Sequence, residues 1–309
     1  MHAAPAAARM GAVLDSAQRS ASEPGMHVFL IHAHKDIDQL NELIGLLCDP
    51  DFLVYVHLDR DSALDPALLH PAARPVRARV AVRWGTLSQV RASLASLRQI
   101  LQEAPEFDKL VFLSGQDVPL LPNARLKREL ARLQGSELIE VAPIAPHGWR
   151  VMRRYQYFHC EGGGPLAQLA CRLANGVLRL LGRTRRFPDG LAPYGGSAWW
   201  TLSRDCLREL LRLADAHPRL LRFCRTVRCP DELFFQTLVM HSTFAARVVP
   251  DNFRYVDWPD QHARNPKILD ESDFARLRAS RAHFCRKLDV HASAGLARRL
   301  RAWRDSQLG

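Results

Sequence analysis

The stretch Lys109-Leu110-Val111-Phe112-Leu113-Ser114-Gly115-Gln116-Asp117-Val118-Pro119 reads as a short apolar strand running straight into a polar turn. The same pattern repeats upstream. His27–His34 (HVFLIHAH) is apolar enough for a strand buried on both faces, and Phe52–Leu58 (FLVYVHL) is a second strand ending in Asp59-Arg60-Asp61. A third strand is expected at Arg79–Arg83, leading to Trp84-Gly85-Thr86. Helical spacing separates these segments: Leu40, Ile44 and Leu47 after the first strand, and Leu87, Val90, Leu94, Leu97 and Leu101 before Lys109. Downstream, a helix over about 124–133 precedes a strand at Glu137–Val141. This alternation predicts an α/β fold with a mostly parallel central sheet flanked by helices. Ligands of such sheets bind beyond the carboxyl ends of the strands, which here carry His34, Asp59, Trp84 and Asp117.

The 309 residues are 47% hydrophobic and 24% charged, ordinary globular proportions for one large domain or two smaller ones. No apolar run approaches the roughly 18–20 residues of a spanning helix, so no transmembrane segment is expected. Residues 1–25 lack the basic start and apolar core of a secretory signal and read as a disordered leader or start-site extension. The domain proper is expected over 26–290, with 291–309 a basic C-terminal helix. Seven scattered cysteines without a C-x-x-C argue against a disulfide framework and structural zinc, and make a reducing cytoplasm the simplest compartment. A net charge of +11 points to anionic partners. The Arg residues are dispersed, with acids and aromatics at the strand ends, which speaks against a nucleic-acid module. Neither G-x-G-x-x-G nor G-x-x-x-x-G-K-[ST] occurs, so dinucleotide and P-loop readings lack support.

Residues 143–194 change character: Trp149-Arg150, Arg153-Arg154-Tyr155, a glycine break at 162–164 and a basic helix near 166–183. They read as an insertion on one rim of the sheet, a natural place for substrate contacts. A glycine-led strand follows over 195–202, whose adjacent Trp199 and Trp200 alternate, one toward the core and one toward a cleft. Cys229-Pro230-Asp231-Glu232 then opens a helix that Leu233, Phe234, Leu238, Val239 and Met240 mark as buried. Carboxylates in that first turn meet the positive end of the helix dipole and stay ionised. That suits a general base, although acids there are also ordinary dipole complements.

Eight pieces in order carry a family resemblance: His32-Ala33-His34-Lys35; His57-Leu58-Asp59; Arg83-Trp84-Gly85; Leu113 to Leu120; Gly196-Ser197-Ala198-Trp199-Trp200; Pro230-Asp231-Glu232; Arg254-Tyr255-Val256-Asp257-Trp258; and Phe284-Cys285-Arg286-Lys287-Leu288-Asp289. Over about residues 27–289 the chain resembles the core-2/I-branching β-1,6-N-acetylglucosaminyltransferase family, which includes peptide O-xylosyltransferases. Its compact form resembles the bacterial branch. The resemblance implies a GT-A-like nucleotide-diphosphosugar transferase fold. It also implies inverting, metal-independent transfer of GlcNAc or xylose from a UDP-sugar to a hydroxyl of a glycan acceptor.

By the same resemblance Glu232 is the base that takes the acceptor proton. The departing diphosphate needs its charge neutralised, a task that falls on Lys287 and, counting back without a gap, on Arg264. Asp59 is placed at the uracil or ribose, Asp117 beside the donor pocket and His34 as polar lining of the nucleotide pocket. Trp258 would stack on the acceptor sugar, Arg154 would contact acceptor, and Trp200 is a further aromatic candidate. Asp59-Arg60-Asp61 closes the second strand rather than the fourth, so it is not read as a metal motif, and no cofactor beyond the UDP-sugar donor is expected.

Three alternatives stay open: a metal-dependent GT-A transferase with another donor, a non-catalytic basic module for anionic polymers, and an inactive relative. A hard cation could still sit on one carboxylate plus phosphates. Because 143–194 departs most from the animal enzymes, a bacterial surface polysaccharide, a lipid-linked glycan or a capsule precursor is the expected acceptor. The tail, with Leu296, Leu300 and Trp303 on one side, suits either peripheral contact with an acidic membrane surface on the cytoplasmic face or packing on the domain.

Overall fold

The computed structural model describes residues 25–104, 106–145, 151–160, 163–259 and 265–307, so residues 1–24, Trp149-Arg150, Asp260 and Arg264 lie outside the described residues. The first half runs β1 (His27–Ala33), α1 (Ile37–Leu46), β2 (Phe52–Leu58), β3 (Ala73–Pro75), α2 (Leu87–Glu103), β4 (Lys109–Ser114), β5 (Val118–Pro119), α3 (Asn123–Arg132), β6 (Glu137–Ile139) and β7 (Ala142–Pro143). The second half begins with α4 (Arg153–Gln156), α5 (Pro165–Leu180), β8 (Tyr194–Gly195), β9 (Trp200–Ser203), α6 (Arg204–Ala216) and α7 (Pro218–Phe223). It closes with α8 (Phe234–Met240), β10 (Val248–Val249), β11 (Arg254–Val256), α9 (Phe274–Ala279), β12 (Phe284–Arg286) and α10 (Ala294–Asp305). No described helix is long and apolar enough to cross a membrane.

The main sheet has the order β10-β6-β9-β4-β1-β2-β3. Every neighbouring pair is parallel except those made by β9, which runs antiparallel to β4 and to β6. Alternate side chains of the central strands feed two layers. Phe29, Ile31, Val54, Val56, Val111 and Leu113 pack under α1 and α3. Val28, Leu30, Tyr55, Leu110 and Phe112 pack under α2, α6 and α8. Leu97 of α2 is wholly buried, so truncating it to Ala is expected to cost about 2–5 kcal/mol. Thr86 caps α2 through the Ser88 N–H, and Ser203 caps α6 through the Cys206 N–H.

The register aligns the strand ends into one rim. His32 pairs with both His57 and Ser114, and Ala33 with Leu58, so β1, β2 and β4 end side by side. The ladder extends past the strands, with Asp59 N–H donating to Ala33 C=O at 2.9 Å and Gly115 N–H to His32 C=O at 3.0 Å. Beyond that rim sits a small second sheet, β11-β12-β5.

Several expectations are corrected. The strand expected at Arg79–Arg83 is irregular, and the third strand is β3 instead. The end of β2 satisfies this segment: Val80 N–H donates to His57 Nε2, Val82 N–H to Asp59 Oδ1, and Arg79 reaches the carbonyls of Leu58 and Asp59. Pro230–Glu232 forms a 3₁₀ turn, separated from α8 by Leu233 at φ −138°, so the two acids precede the helix rather than occupy its first turn. Cys160 and Cys171 are disulfide-bonded, which removes the cysteine argument for a reducing compartment. The tail helix α10 turns Leu296 and Leu300 inward onto Leu120, Leu269, Leu277 and Leu288, and Arg304 donates to the carbonyls of Leu121 and Leu46. Its apolar side is therefore used for packing.

Candidate active site

Glu232 leaves the chain at a tightly specified turn. Cys229 takes a left-handed conformation, φ 49°, and its N–H donates to Gly85 C=O at 2.9 Å. Gly85, itself at φ 73°, donates to Gln89 Oε1 at 2.5 Å, and Gln89 Nε2 donates to Asp231 Oδ2 at 3.0 Å. The Trp84-Gly85 turn and the start of α2 thus fix the Pro230–Glu232 turn from below. Burial, then the charge of Glu232, pushes the Asp231 carboxyl up to about 7. Asp231 is thereby kept partly neutral, while the partly exposed Glu232 carboxylate contacts the Arg154 guanidinium of α4. Desolvation, then Glu232 and Asp251, raises Glu140 above the usual carboxylate range. Arg154 is thus the cation that offsets a cluster of acids around Glu232.

The second half of the site is cationic. At the end of β12, desolvation first, then Arg286 and Lys35, lowers Lys287. Among the described residues no carboxylate pairs with its ammonium, whereas Lys35 pairs with Asp36 at 3.0 Å and Asp289 at 3.4 Å. Arg286, lowered by burial, has a buried Nε without a partner and lies 4.5 Å over the Trp199 ring. His34 feels Lys35, Asp59 and Lys287 together, which places all four on one rim, and desolvation lowers its pKa. Asp59 accepts from Asp61 N–H and Val82 N–H through Oδ1, which leaves Oδ2 for a ligand. Deeper in, His32 Nε2 is buried and unpartnered between His57 and Phe112.

Gly196–Trp199 joins the two halves. Gly196 N–H donates to Glu232 C=O at 3.0 Å, and the Trp199 indole carries Arg286. The same short segment therefore touches both the turn bearing Glu232 and the cation Arg286.

Two candidates move out of the pocket. Asp117 is fully buried, accepts from Ser114 N–H at 2.7 Å and Ser114 Oγ at 2.5 Å, and pairs with Arg254 Nε at 2.7 Å. Oδ2 takes both Ser114 bonds, and Oδ1 lies in ion-pair range of Arg254 without a hydrogen bond of its own, so the buried carboxylate faces Arg254. Trp200 is 1% exposed between Phe112 and Phe235, and the partly exposed Trp199 takes the cleft side. Trp258, 52% exposed, follows β11 and starts a loop whose neck is closed by Lys267 N–H on Asp257 C=O at 2.8 Å. Arg264 lies outside the described residues. Among the described residues no three His, Cys, Asp or Glu side chains converge as metal ligands.

Sequence reasoning missed Arg286, Glu140 and Gln89. Arg286 is quoted there only as part of the closing motif, Glu140 only as part of an expected strand, and Gln89 lies one turn beyond Gly85 on a helix read only for its apolar stripe.

Known proteins align with this framework. A family model described as Core-2/I-Branching enzyme matches residues 28–278. A xylosyltransferase of Ciona intestinalis is 24% identical over 284 residues, covering 85% of this chain and 32% of that protein. Xylosyltransferase 1 of Canis lupus familiaris is 26% identical over 253 residues, 79% of this chain and 25% of its own. Xylosyltransferase 2 of Mus musculus is 26% identical over 241 residues, 75% of this chain and 26% of its own. The chain spans about a quarter to a third of the length of these relatives. With its mixed α/β sheet, a match across most of its length and the motif residues gathered at one rim, the chain belongs to the Core-2/I-Branching enzyme family, whose fold is GT-A-like.

Proposed function

We propose that this chain is an inverting glycosyltransferase that moves a sugar from a UDP-sugar to a hydroxyl of a glycan acceptor without a metal ion. The observation that carries the reading is the pairing of opposites across Gly196–Trp199. On one side is a partly exposed carboxylate, held by Arg154; on the other, Lys287 without a carboxylate partner among the described residues, beside Arg286. Glu232 takes the proton of the acceptor hydroxyl as that oxygen attacks the anomeric carbon from the face opposite UDP. One base suffices because the diphosphate leaves without protonation, unlike the leaving group of a glycosidase. Lys287 and Arg286, with Arg264 added on the family resemblance, neutralise the charge that develops on the diphosphate. In the reading this cationic shelf does the work a divalent ion does elsewhere.

Asp59 and His34 belong to the nucleotide end, Trp258 and Arg154 to the acceptor end. The relatives' name favours UDP-xylose as the first donor to try, with UDP-GlcNAc second. The test is UDP release from a panel of UDP-sugars, with and without EDTA, with donor binding followed by calorimetry. EDTA-resistant turnover of one donor is expected. Binding of no UDP-sugar would overturn the reading, and turnover abolished by EDTA and restored by a divalent ion would overturn its metal-free part.

A further inference from the structure

Helix α5 wears its apolar residues on the outside. Leu166, Leu169, Leu173, Val177 and Leu180 recur at three- and four-residue spacing and so share one face. They are 83%, 52%, 64%, 55% and 86% exposed, Leu181 extends the stripe, and no residue of α5 is buried. A surface helix ordinarily turns such a stripe inward, and a contiguous exposed patch of this kind marks a contact surface.

The helix is not waiting to fold inward, because its other side is already fastened. Cys171 is disulfide-bonded to Cys160. Asn175 and Phe158 exchange two hydrogen bonds of 2.8 Å, Phe158 N–H to Oδ1 and Nδ2 to Phe158 C=O. The Arg179 guanidinium lies 5.3 Å over the Tyr157 ring.

Charge selects the occupant. From residue 163 to 188 there are five arginines, at 172, 179, 183, 185 and 186, and no Asp or Glu. Arg185 is committed to the carbonyls of Tyr157 and Thr226 and Arg179 to the Tyr157 ring, while Arg172, Arg183 and Arg186 are exposed. A leucine stripe bordered by arginines alone fits an anionic lipid surface, with leucines at the headgroup–acyl boundary and guanidinium groups on lipid phosphates. A second copy of the chain would set these arginines against each other, a like-charge cost.

We propose that α5 is an interfacial anchor that docks the domain on an anionic lipid bilayer. The docking stands apart from the catalytic assignment. Its consequence rests on the transferase reading: Arg154, in contact with Glu232, lies six residues before Cys160, to which the anchor is tied. An acceptor held in the bilayer then meets the base near the surface to which it is anchored.

The test is co-sedimentation of the full chain with phosphatidylcholine vesicles, with and without phosphatidylglycerol. Binding is expected only with phosphatidylglycerol and is weakened by salt. It should fall at least about ten-fold in Leu169→Asp/Leu173→Asp and in Arg172→Glu/Arg183→Glu. Melting temperatures should hold, because these side chains are exposed. Leu173→Trp should shift its emission to the blue on phosphatidylglycerol vesicles only. The proposal is overturned if these vesicles do not bind the protein or if binding survives both α5 variants. A solution dimer dissolved by Leu169→Asp/Leu173→Asp would also overturn it, by assigning the stripe to a second copy. Calorimetric donor binding in vesicle-free solution reports on the transferase reading separately.

Discussion

A Cβ on Gly196 would sit 1.8 Å from the carbonyl oxygen of Glu140, so no side chain fits between this segment and the end of β6. The obstacle is backbone, which cannot swing aside. Because Gly196 N–H also holds the Glu232 carbonyl, Gly196→Ala must displace the base motif. Turnover is expected to fall about 100-fold, with a lowered melting temperature. Full activity in the Ala variant would show that this close approach does not set the geometry.

Arg154 and Lys287 should separate in their effects. Arg154→Ala leaves Glu232 facing Glu140 and Asp231 without its cation, and is expected to cost about 10–100-fold in turnover while UDP affinity holds. Lys287→Ala removes a cation that has no carboxylate partner among the described residues and should weaken UDP binding about ten-fold or more, read by calorimetry. If the two variants behave alike, the division into acceptor and donor ends fails.

Asp117 and Asp59 should also part company. Asp117 and Arg254 are buried together at 0% and 2% side-chain exposure, so Asp117→Ala leaves a guanidinium uncompensated and should cost about 3–5 kcal/mol in urea unfolding. Asp59→Asn should leave stability nearly unchanged and weaken nucleotide binding. A stable Asp117→Ala protein lacking only nucleotide affinity would return Asp117 to the pocket.

These assignments show how far the chain could be read in advance. The β1, β2 and β4 strands and their polar ends were legible because parallel strands are short apolar runs that stop where the rim begins. The segment 76–84 was not, since its N–H groups are satisfied by Asp59 and His57 side chains that no local pattern announces. The Pro-Asp-Glu order singles Glu232 out as a candidate, yet the 3₁₀ turn that presents it depends on Cys229 reaching Gly85 across the fold. Asp117 and Trp200 carry the right chemistry at the right strand ends, and only three-dimensional burial shows that both face inward. The outward stripe of α5 reads from sequence as any amphipathic helix, because periodicity gives a face but not its direction.

Acid sensitivity follows from buried bases. Burial, the largest cause in each, pushes His27, His57 and His283 down to about 4 and holds His32 well below its ordinary value, against 6.5 in the unfolded chain. Between pH 6.5 and 4 the unfolded chain therefore binds protons that the folded one refuses, and stability is lost as pH falls through that window. Asp231 works with the opposite sign: held near 7 against 3.8, it costs stability as pH rises from about 4 to 7. With His34 also lowered and Glu140 also raised by burial, five imidazoles stand against two carboxyls, so the melting temperature should fall from pH 6.5 to 4. Asp231→Asn should gain on wild type up to pH 7 and then level off. A melting temperature that rises on acidification would contradict the burial of these histidines as neutral rings.

The central claim is that Glu232 is the base, and Glu232→Gln tests it most directly. The substitution keeps the shape of the side chain and removes its ability to take a proton. With the donor that supports turnover, and with UDP affinity measured on the same sample by calorimetry, turnover is expected to fall at least about 100-fold while UDP binds as in wild type. Turnover within a few-fold of wild type would place the base elsewhere and contradict the account.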